Sequence, residues 1–135
     1  MISISTLKKI LSRQDGREQL RTPKDEEANL RLQYRKLDVG YLSLYDGKWH
    51  FEYTDDFRCQ TNVCPLIDFP HTDKPYESEV LWPFFAIRIP GLGQPAVQRV
   101  IREENLDKHN EAQLLKRFGK MTIANPFILT PISQE

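Results

Sequence analysis

Three histidines and two cysteines are the residues of this chain best suited to catalysis or metal binding. His50, His71 and His109 each stand alone in a polar context, where a histidine is more often a surface or hydrogen-bonding residue than a catalytic base. Cys59 and Cys64, in C-x4-C spacing with His71 nearby, suggest a metal site. Structural zinc, however, needs four ligands and usually a second close pair. The sequence lacks that second pair, so we predict no metal ion.

Other short motifs that bind phosphate or cations are incomplete. Asp55 and Asp56 can contribute to a cation site, but such a site needs several further oxygen ligands, which favours a solvated loop or a helix cap. The segment Gly91-Leu92-Gly93 lacks the third glycine and the preceding strand of a dinucleotide loop. The sequence contains no Walker loop and no kinase H-R-D or D-F-G motif. We predict a protein that is not an enzyme and uses no cofactor; a small enzyme with an unfamiliar site is a further alternative.

Composition and charge limit the classes of partner. The 135 residues suit a single domain, with 39% hydrophobic and 28% charged residues. The 19 basic and 19 acidic residues balance, so no net field draws the chain to nucleic acid or to an anionic membrane. Contact with DNA is therefore expected only indirectly, through a partner. No apolar run is long enough to span a membrane, and Met1 to Leu11 is too polar for a signal peptide, so we expect a cytoplasmic protein.

The first 27 residues are predicted to be an N-terminal extension, separate from a domain over 28–135. Apolar residues at helical spacing predict a short amphipathic helix with basic side chains on its other side: Ile4, Leu7, Ile10 and Leu11 against Lys8, Lys9 and Arg13. Residues 22–27 have the composition of a linker. Two interpretations of the helix stay open. It either packs on its own domain or docks on a partner.

Alternation of apolar and polar residues predicts an antiparallel β-meander over residues 29–53. The apolar positions of its three strands are Leu30, Leu32 and Tyr34; Val39, Tyr41, Leu42 and Leu44; and Trp49, Phe51 and Tyr53. The Asp46-Gly47 pair predicts a type I′ hairpin turn, because that turn needs positive φ at both central positions. We interpret the aromatic side of the meander as its core face.

The C-terminal part of the chain is predicted to be mainly helical after a loop-rich stretch over 54–78. A helical stretch is predicted over Glu77 to Ile89, either capped by Ser78 or beginning nearer Trp82, with Pro83 in its first turn. Two further helices and two closing strands are predicted at Pro95 to Glu104, Asn110 to before Gly119, 121–123 and 127–129. The predicted fold class is α+β: a small antiparallel β-meander or partial barrel packed with two or three short helices.

Several short motifs follow one another in a characteristic order. They are Gly40-Tyr41-Leu42, the Asp46-Gly47 turn, Trp49-His50-Phe51-Glu52-Tyr53, Cys64-Pro65-Leu66, Tyr76-Glu77, and Pro83-Phe84-Phe85 through Ile87-Arg88-Ile89-Pro90. Over residues 29–130, this order resembles the N-terminal subdomain of HipA-type serine/threonine kinases. That family has a G-x-L strand, a G-x-x-x-F-x-Y strand, a Pro-Leu segment and an F-F-x-x-L-L-P-E-G helix end. Here Gly91-Leu92 replaces the family's Glu-Gly, and the sequence contains no kinase core.

This departure resembles the HipS antitoxins of tripartite HipBST systems, in which the subdomain is encoded separately. The resemblance implies a non-catalytic antitoxin that binds and inhibits a separate HipT-like serine/threonine kinase toxin. It also implies a HipB-like DNA-binding protein in a larger complex. One alternative is a scaffold that joins the kinase to the HipB-like repressor without inhibiting it. Another is a domain that lost its partner and binds something else.

The segment around Trp82 is the predicted contact with the kinase. A separated subdomain must rebuild a once-internal interface between two chains, and such interfaces carry aromatic anchors. Large apolar residues occupy four of the five positions from Leu81 to Phe85, more than one helix face can bury, so Trp82 is predicted to point outward. The alternative is a helix buried on all sides, with Trp82 in the core. The predicted interface comprises Trp82, Leu81, Pro83, Phe85 and Glu79.

Overall fold

The computed structural model describes residues 20–132 of the chain. The helix predicted from Ile4 to Leu11 lies outside the described residues. Within them, five strands and four short helices follow in the order β1 Ala28–Tyr34, β2 Leu37–Tyr45, β3 Lys48–Tyr53, α1 Asp55–Arg58, β4 Tyr76–Ser78, α2 Pro83–Ala86, α3 Pro95–Glu103, α4 Glu111–Phe118 and β5 Ile128–Pro131. The predicted α+β class is confirmed, with one helix more than the two or three expected.

The strands form one antiparallel sheet in the order β4-β3-β2-β1-β5, and this sheet stays open. The predicted meander is its centre, and alternate side chains of β1, β2 and β3 are buried: Leu30, Leu32, Val39, Leu42, Leu44, Trp49, Phe51 and Tyr53. The closing strand predicted at 127–129 is confirmed as β5, which pairs with β1. The one predicted at 121–123 is wrong, because the structure has only an isolated bridge between Thr122 and Asn125 there.

Two glycines fix the geometry of the meander. Asp46 and Gly47 have φ of 53° and 73°, which confirms the predicted turn with positive φ at both positions. At Gly40 the constraint is a close approach, since an added Cβ would lie 2.5 Å from the Phe51 ring and 2.7 Å from the Glu52 carbonyl oxygen. The glycine therefore lets the Phe51 ring lie directly against the backbone of the neighbouring strand.

The helical stretch predicted over Glu77 to Ile89 is wrong at both ends, because the helix comprises only Pro83–Ala86. Tyr76–Ser78 is strand β4, which pairs with β3 and places Glu77 opposite His50. Helix α2 begins at Pro83, with Trp82 as its N-cap, which matches the alternative start considered above. The physical reason is that proline has no N–H to donate and a fixed φ, so it fits the first helical position better than an interior one.

The side chains between sheet and helices form an aromatic core. Phe51 stacks on Phe69 with ring centroids 4.2 Å apart, and Phe85 packs tilted against both rings. The aromatic side of the meander is thus its core face, as predicted. Phe69 comes from the loop at 59–75, and Phe85 comes from α2, so this cluster holds both segments against the sheet. The position of α2 is consequently set by burial of Phe85.

Tyr53 links the sheet to the loop beneath α2. Its hydroxyl donates to the Phe69 carbonyl oxygen at 2.6 Å and accepts from the Leu66 N–H at 2.8 Å. Burial raises the pKa of Tyr53 to about 12. The folded protein therefore keeps this proton to a higher pH than the unfolded chain does. The stabilisation from this proton is complete below about pH 10 and is lost as the pH rises toward about 12.

We predict that Tyr53→Phe removes this alkaline sensitivity. Between about pH 9 and about pH 11.5, the wild type should lose about 1 to 2 kcal/mol more of its free energy of unfolding than Tyr53→Phe does. Urea unfolding of both proteins at the two pH values measures this change. Tyr41→Phe, at a residue 43% exposed on the sheet, is the matched control for the loss of a tyrosine hydroxyl. An equal pH dependence in wild type and Tyr53→Phe would contradict the prediction.

Candidate functional site

The five residues predicted to contact a kinase differ widely in exposure. Glu79 and Pro83 are exposed and Trp82 is half-buried. Leu81 and Phe85 are core residues, 4% and 0% exposed. In this structure Leu81 and Phe85 support the segment from beneath, while the other three present side-chain surface to solvent.

The local chemistry of α2 explains this division. The Trp82 carbonyl oxygen accepts from the N–H groups of Phe85 and Ala86, which closes a single helical turn after Pro83. The Asp68 carboxylate accepts from the Phe84 N–H at 2.9 Å and thereby satisfies a donor that a helix start leaves free. A helix of a single turn can bury only one of its sides. In α2 the buried side carries Phe85, and Pro83 faces solvent.

Trp82 packs against the loop that carries Phe69. The two rings meet edge to face, with centroids 4.9 Å apart and planes at 72°. The indole is therefore held by the core on one side and stays half-exposed. Neither extreme considered from the sequence, a fully outward or a fully buried Trp82, describes this position. A half-buried indole is already ordered and can add contact area to a partner at low entropic cost.

Two aliphatic residues that flank α2 are more exposed than Trp82. Val80 is 71% and Ile87 53% exposed. Ile87 belongs to a groove of about 540 Å³, here called the α2 groove. Its apolar lining is Leu20, Leu81, Pro83, Ala86, Ile87 and Ile89. Exposed apolar surface of this kind, next to polar residues, is common at sites of protein interaction.

A second groove adjoins the first and contains Val80 and Glu79. Its volume is about 510 Å³, and it extends over the Asp46-Gly47 turn; we call it the hairpin groove. Both grooves include Leu20 and Glu111, so they meet at those residues. The surface made of both grooves is called the double groove below. Its two parts differ in chemistry, because the α2 groove is mainly apolar whereas the hairpin groove has six charged residues: Arg21, Lys24, Asp46, Lys48, Glu79 and Glu111.

Glu111 fixes the floor where the two grooves meet. Its Oε1 accepts from the Trp49 indole N–H at 3.1 Å and from the Thr22 hydroxyl at 2.9 Å. The backbone of Arg21 bonds to both sides of this site, donating to His109 and accepting from Glu111. Strand β3, helix α4 and the entering chain are therefore tied together at one point.

An exposed ion pair lies beside the double groove on the sheet edge. The Lys48 Nζ donates to Glu77 Oε1 at 3.0 Å. This hydrogen bond raises the pKa of Lys48 and lowers the pKa of Glu77. Both side chains are largely in solvent, so the pair keeps two charges in register at the edge strand and adds little to stability.

The residues singled out for chemistry take structural positions instead. Asp55 and Asp56 form the first turn of α1, and Asp55 pairs with Arg58 one turn later, whereas the helix cap itself is Thr54. His50 stacks on Tyr45 with ring centroids 3.8 Å apart. Within residues 20–132, no three His, Cys, Asp or Glu side chains are placed to hold one metal ion. Cys59 and Cys64 are exposed free thiols.

Sequence reasoning missed Leu20, Val80, Ile87 and Glu111 as members of the surface. Val80 and Ile87 lie within the helical stretch predicted over Glu77 to Ile89, where the excess of apolar residues did signal that some must stay exposed. Leu20 and Glu111 gave no signal, because 90 residues separate them in the chain.

Comparison with known proteins identifies the family. No helix among residues 20–132 is long and apolar enough to cross a membrane. Among curated proteins, none matches the chain. The sequence profile of the HipA N-terminal domain matches residues 30–124, which include most of β1, strands β2 to β4 and all four helices. Because this match spans most of the chain, the protein belongs to the HipA N-terminal domain family.

Proposed function

We propose that the chain is a non-catalytic antitoxin that binds and inhibits a separate HipA-like serine/threonine kinase of the HipT type in the cytoplasm. The observation that carries the proposal is the exposed apolar surface around α2 in a protein of the HipA N-terminal domain family. In a HipA-type chain this subdomain adjoins a kinase core. A surface that once faced the core is the natural place for a separate kinase to bind.

Inhibition requires that binding favours an inactive kinase conformation. Phosphoryl transfer depends on exact placement of ATP and its metal ions, so a partner that stabilises a misaligned state blocks the reaction. We assign the contact to Trp82, Pro83 and Glu79, with Val80 and Ile87 added from their exposure. Leu81 and Phe85 belong to the proposal as the buried support of this contact.

We predict that Ile87→Glu weakens kinase binding at least about tenfold, since it puts a charge into a desolvated apolar contact. The dissociation constant can be measured by calorimetry with purified kinase. Ile123→Glu is the matched control, because Ile123 is fully exposed and is not part of the double groove. Equal affinities of the two variants would remove the double groove from the proposed interface.

The second candidate function is a scaffold that joins the kinase to a HipB-like DNA-binding protein without inhibition. A separate groove of about 580 Å³ on the open face of the sheet favours it. Tyr41 and Tyr45, both more than 40% exposed, line that groove. A chain with surfaces on two sides can hold two partners at once. With no net charge of its own, it would reach DNA only through one of them.

A further inference from the structure

The described chain begins inside the double groove. Leu20 lines both grooves, and Arg21 is fixed by backbone hydrogen bonds to His109 and Glu111 at 2.9 and 3.1 Å. Asn110 strengthens this anchor by donating to Glu26 at 2.7 Å. The 19 residues before Leu20 therefore start at a fixed point on exposed apolar surface.

The sequence of residues 1–19 is suited to that surface. It has apolar residues at helical spacing, Ile4, Leu7, Ile10 and Leu11, and a polar remainder. The same residues carry four basic and two acidic side chains, a net charge of +2. The charged side chains of the double groove balance, with three acidic and three basic residues: Asp46, Glu79 and Glu111, and Arg21, Lys24 and Lys48. The match between segment and surface is therefore an apolar one, between the apolar stripe of the segment and the apolar lining of the α2 groove.

We propose that residues 1–19 cover the double groove of their own chain, with Leu7 and Leu11 packed against Pro83 and Ile87. The segment occupies the place that a kinase would take. The docking itself is independent of any partner, whereas its regulatory meaning rests on the proposed function.

The length of the tether makes this contact possible. Leu11 precedes Leu20 by nine residues, and nine residues of extended chain reach at most about 30 Å. A segment tethered over so short a distance has an effective concentration in the millimolar range. Even a weak intrinsic affinity therefore keeps the groove covered in most molecules. A second copy of the chain would have to be far more concentrated to compete.

Docking of residues 1–19 on the double groove of the same chain would have two consequences for the free protein. It shields apolar surface that would otherwise promote association between copies. It also lowers the apparent affinity for a partner by the fraction of molecules with an open groove. If that fraction is about one tenth, the partner binds about tenfold more weakly than it does to an uncovered chain. Only a partner with high intrinsic affinity then displaces the segment.

A spin label on the segment tests the docking in the full chain without any partner. The label is attached through Ser5→Cys in a Cys59→Ser/Cys64→Ser background, because both native cysteines are exposed. We expect a loss of NMR intensity at the Ile87 methyl group that is clearly greater than the loss at the Ile123 methyl group. Leu7→Glu/Leu11→Glu should abolish the loss. Ser12→Glu/Arg13→Gln, changes off the apolar stripe, should preserve it.

Three outcomes would overturn the inference. The first is no selective loss at Ile87, and the second is a loss that survives Leu7→Glu/Leu11→Glu. The third is a loss seen only when a spin-labelled chain is mixed with a separate isotope-labelled chain, which would identify a second copy as the occupant. Kinase binding is a separate measurement. If residues 1–19 cover the groove, the Leu7→Glu/Leu11→Glu variant binds the kinase more tightly than the wild type does. If neither protein binds a kinase, the proposed function is contradicted, whereas the docking of residues 1–19 is still supported by the NMR result.

Discussion

Replacement of Arg88 by methionine is expected to lower the free energy of unfolding by about 3 kcal/mol or more. Arg88 is 3% exposed, and its guanidinium donates to the carbonyl oxygens of Gly119, Lys120 and Phe127 and to the side chain of Asn125, at 2.9 to 3.2 Å. Methionine fills a similar volume but leaves the carbonyl oxygens of Gly119 and Phe127 without a partner, whereas Lys120 O and Asn125 Oδ1 keep their bonds from the N–H groups of Leu129 and Phe127. The segment after α4 is then held near α2 mainly by the packing of Phe127 on Phe84.

The charge state of Arg88 supports this role. Burial lowers the pKa of Arg88 to about 10, so the side chain is still protonated at neutral pH. The cost of burying the cation is offset by its four hydrogen bonds, which is why removal of the donors leaves a large deficit. Arg88→Lys keeps the charge but cannot reach two separate pairs of acceptors, so we expect an intermediate loss.

Urea unfolding of Arg88→Met, Arg88→Lys and a control measures this order. Arg99→Met is the matched control, because Arg99 is exposed on α3. We expect the control to differ from wild type by less than about 0.5 kcal/mol. If Arg88→Met unfolds at the same urea concentration as Arg99→Met, the Arg88 guanidinium does not hold the C-terminal segment.

Trp82→Ala is expected to weaken binding to the kinase by on the order of 2 kcal/mol, which is about thirtyfold in the dissociation constant. The half-buried indole is held against Phe69, so it meets a partner with little loss of side-chain freedom. Truncation to alanine removes this contact area and also weakens the packing on Phe69. Binding must therefore be compared at a temperature where the thermal transition shows the variant to be folded.

Two further variants separate contact from packing. Trp82→Phe keeps an aromatic ring against Phe69 and should recover much of the stability but only part of the affinity. Tyr41→Ala removes a more exposed aromatic residue from the open face of the sheet and should leave kinase binding unchanged. Full suppression of kinase toxicity by a folded Trp82→Ala variant would count against Trp82 as the anchor.

Local patterns made the centre of the fold predictable. Apolar and polar residues alternate along β1 and β3, and the turn at Asp46-Gly47 is encoded by two adjacent residues. Because these signals depend only on neighbours in sequence, the strands within residues 29–53 could be predicted. Strand β4 could not, because its three residues become a strand only by pairing with β3, more than 20 residues earlier. Its apolar neighbours after Glu79 made a longer helix the simpler interpretation.

The candidate surface was predictable only in outline. An excess of large apolar residues near Trp82 indicated exposure, but the direction of a one-turn helix decides which side chains are exposed. That direction follows from burial of Phe85 against Phe51 and Phe69, which are distant in sequence. The α2 groove also needs Leu20, which no local pattern connects to Ile87.

A phosphorylation assay tests the central claim most directly. A purified HipT-like kinase encoded with this chain is incubated with ATP, without DNA and without the HipB-like protein, over a range of chain concentrations. We predict a stable complex and autophosphorylation that falls until the chain equals the kinase in amount. A stable complex with unchanged activity would contradict inhibition and leave the scaffold function. The absence of any complex would contradict both functions.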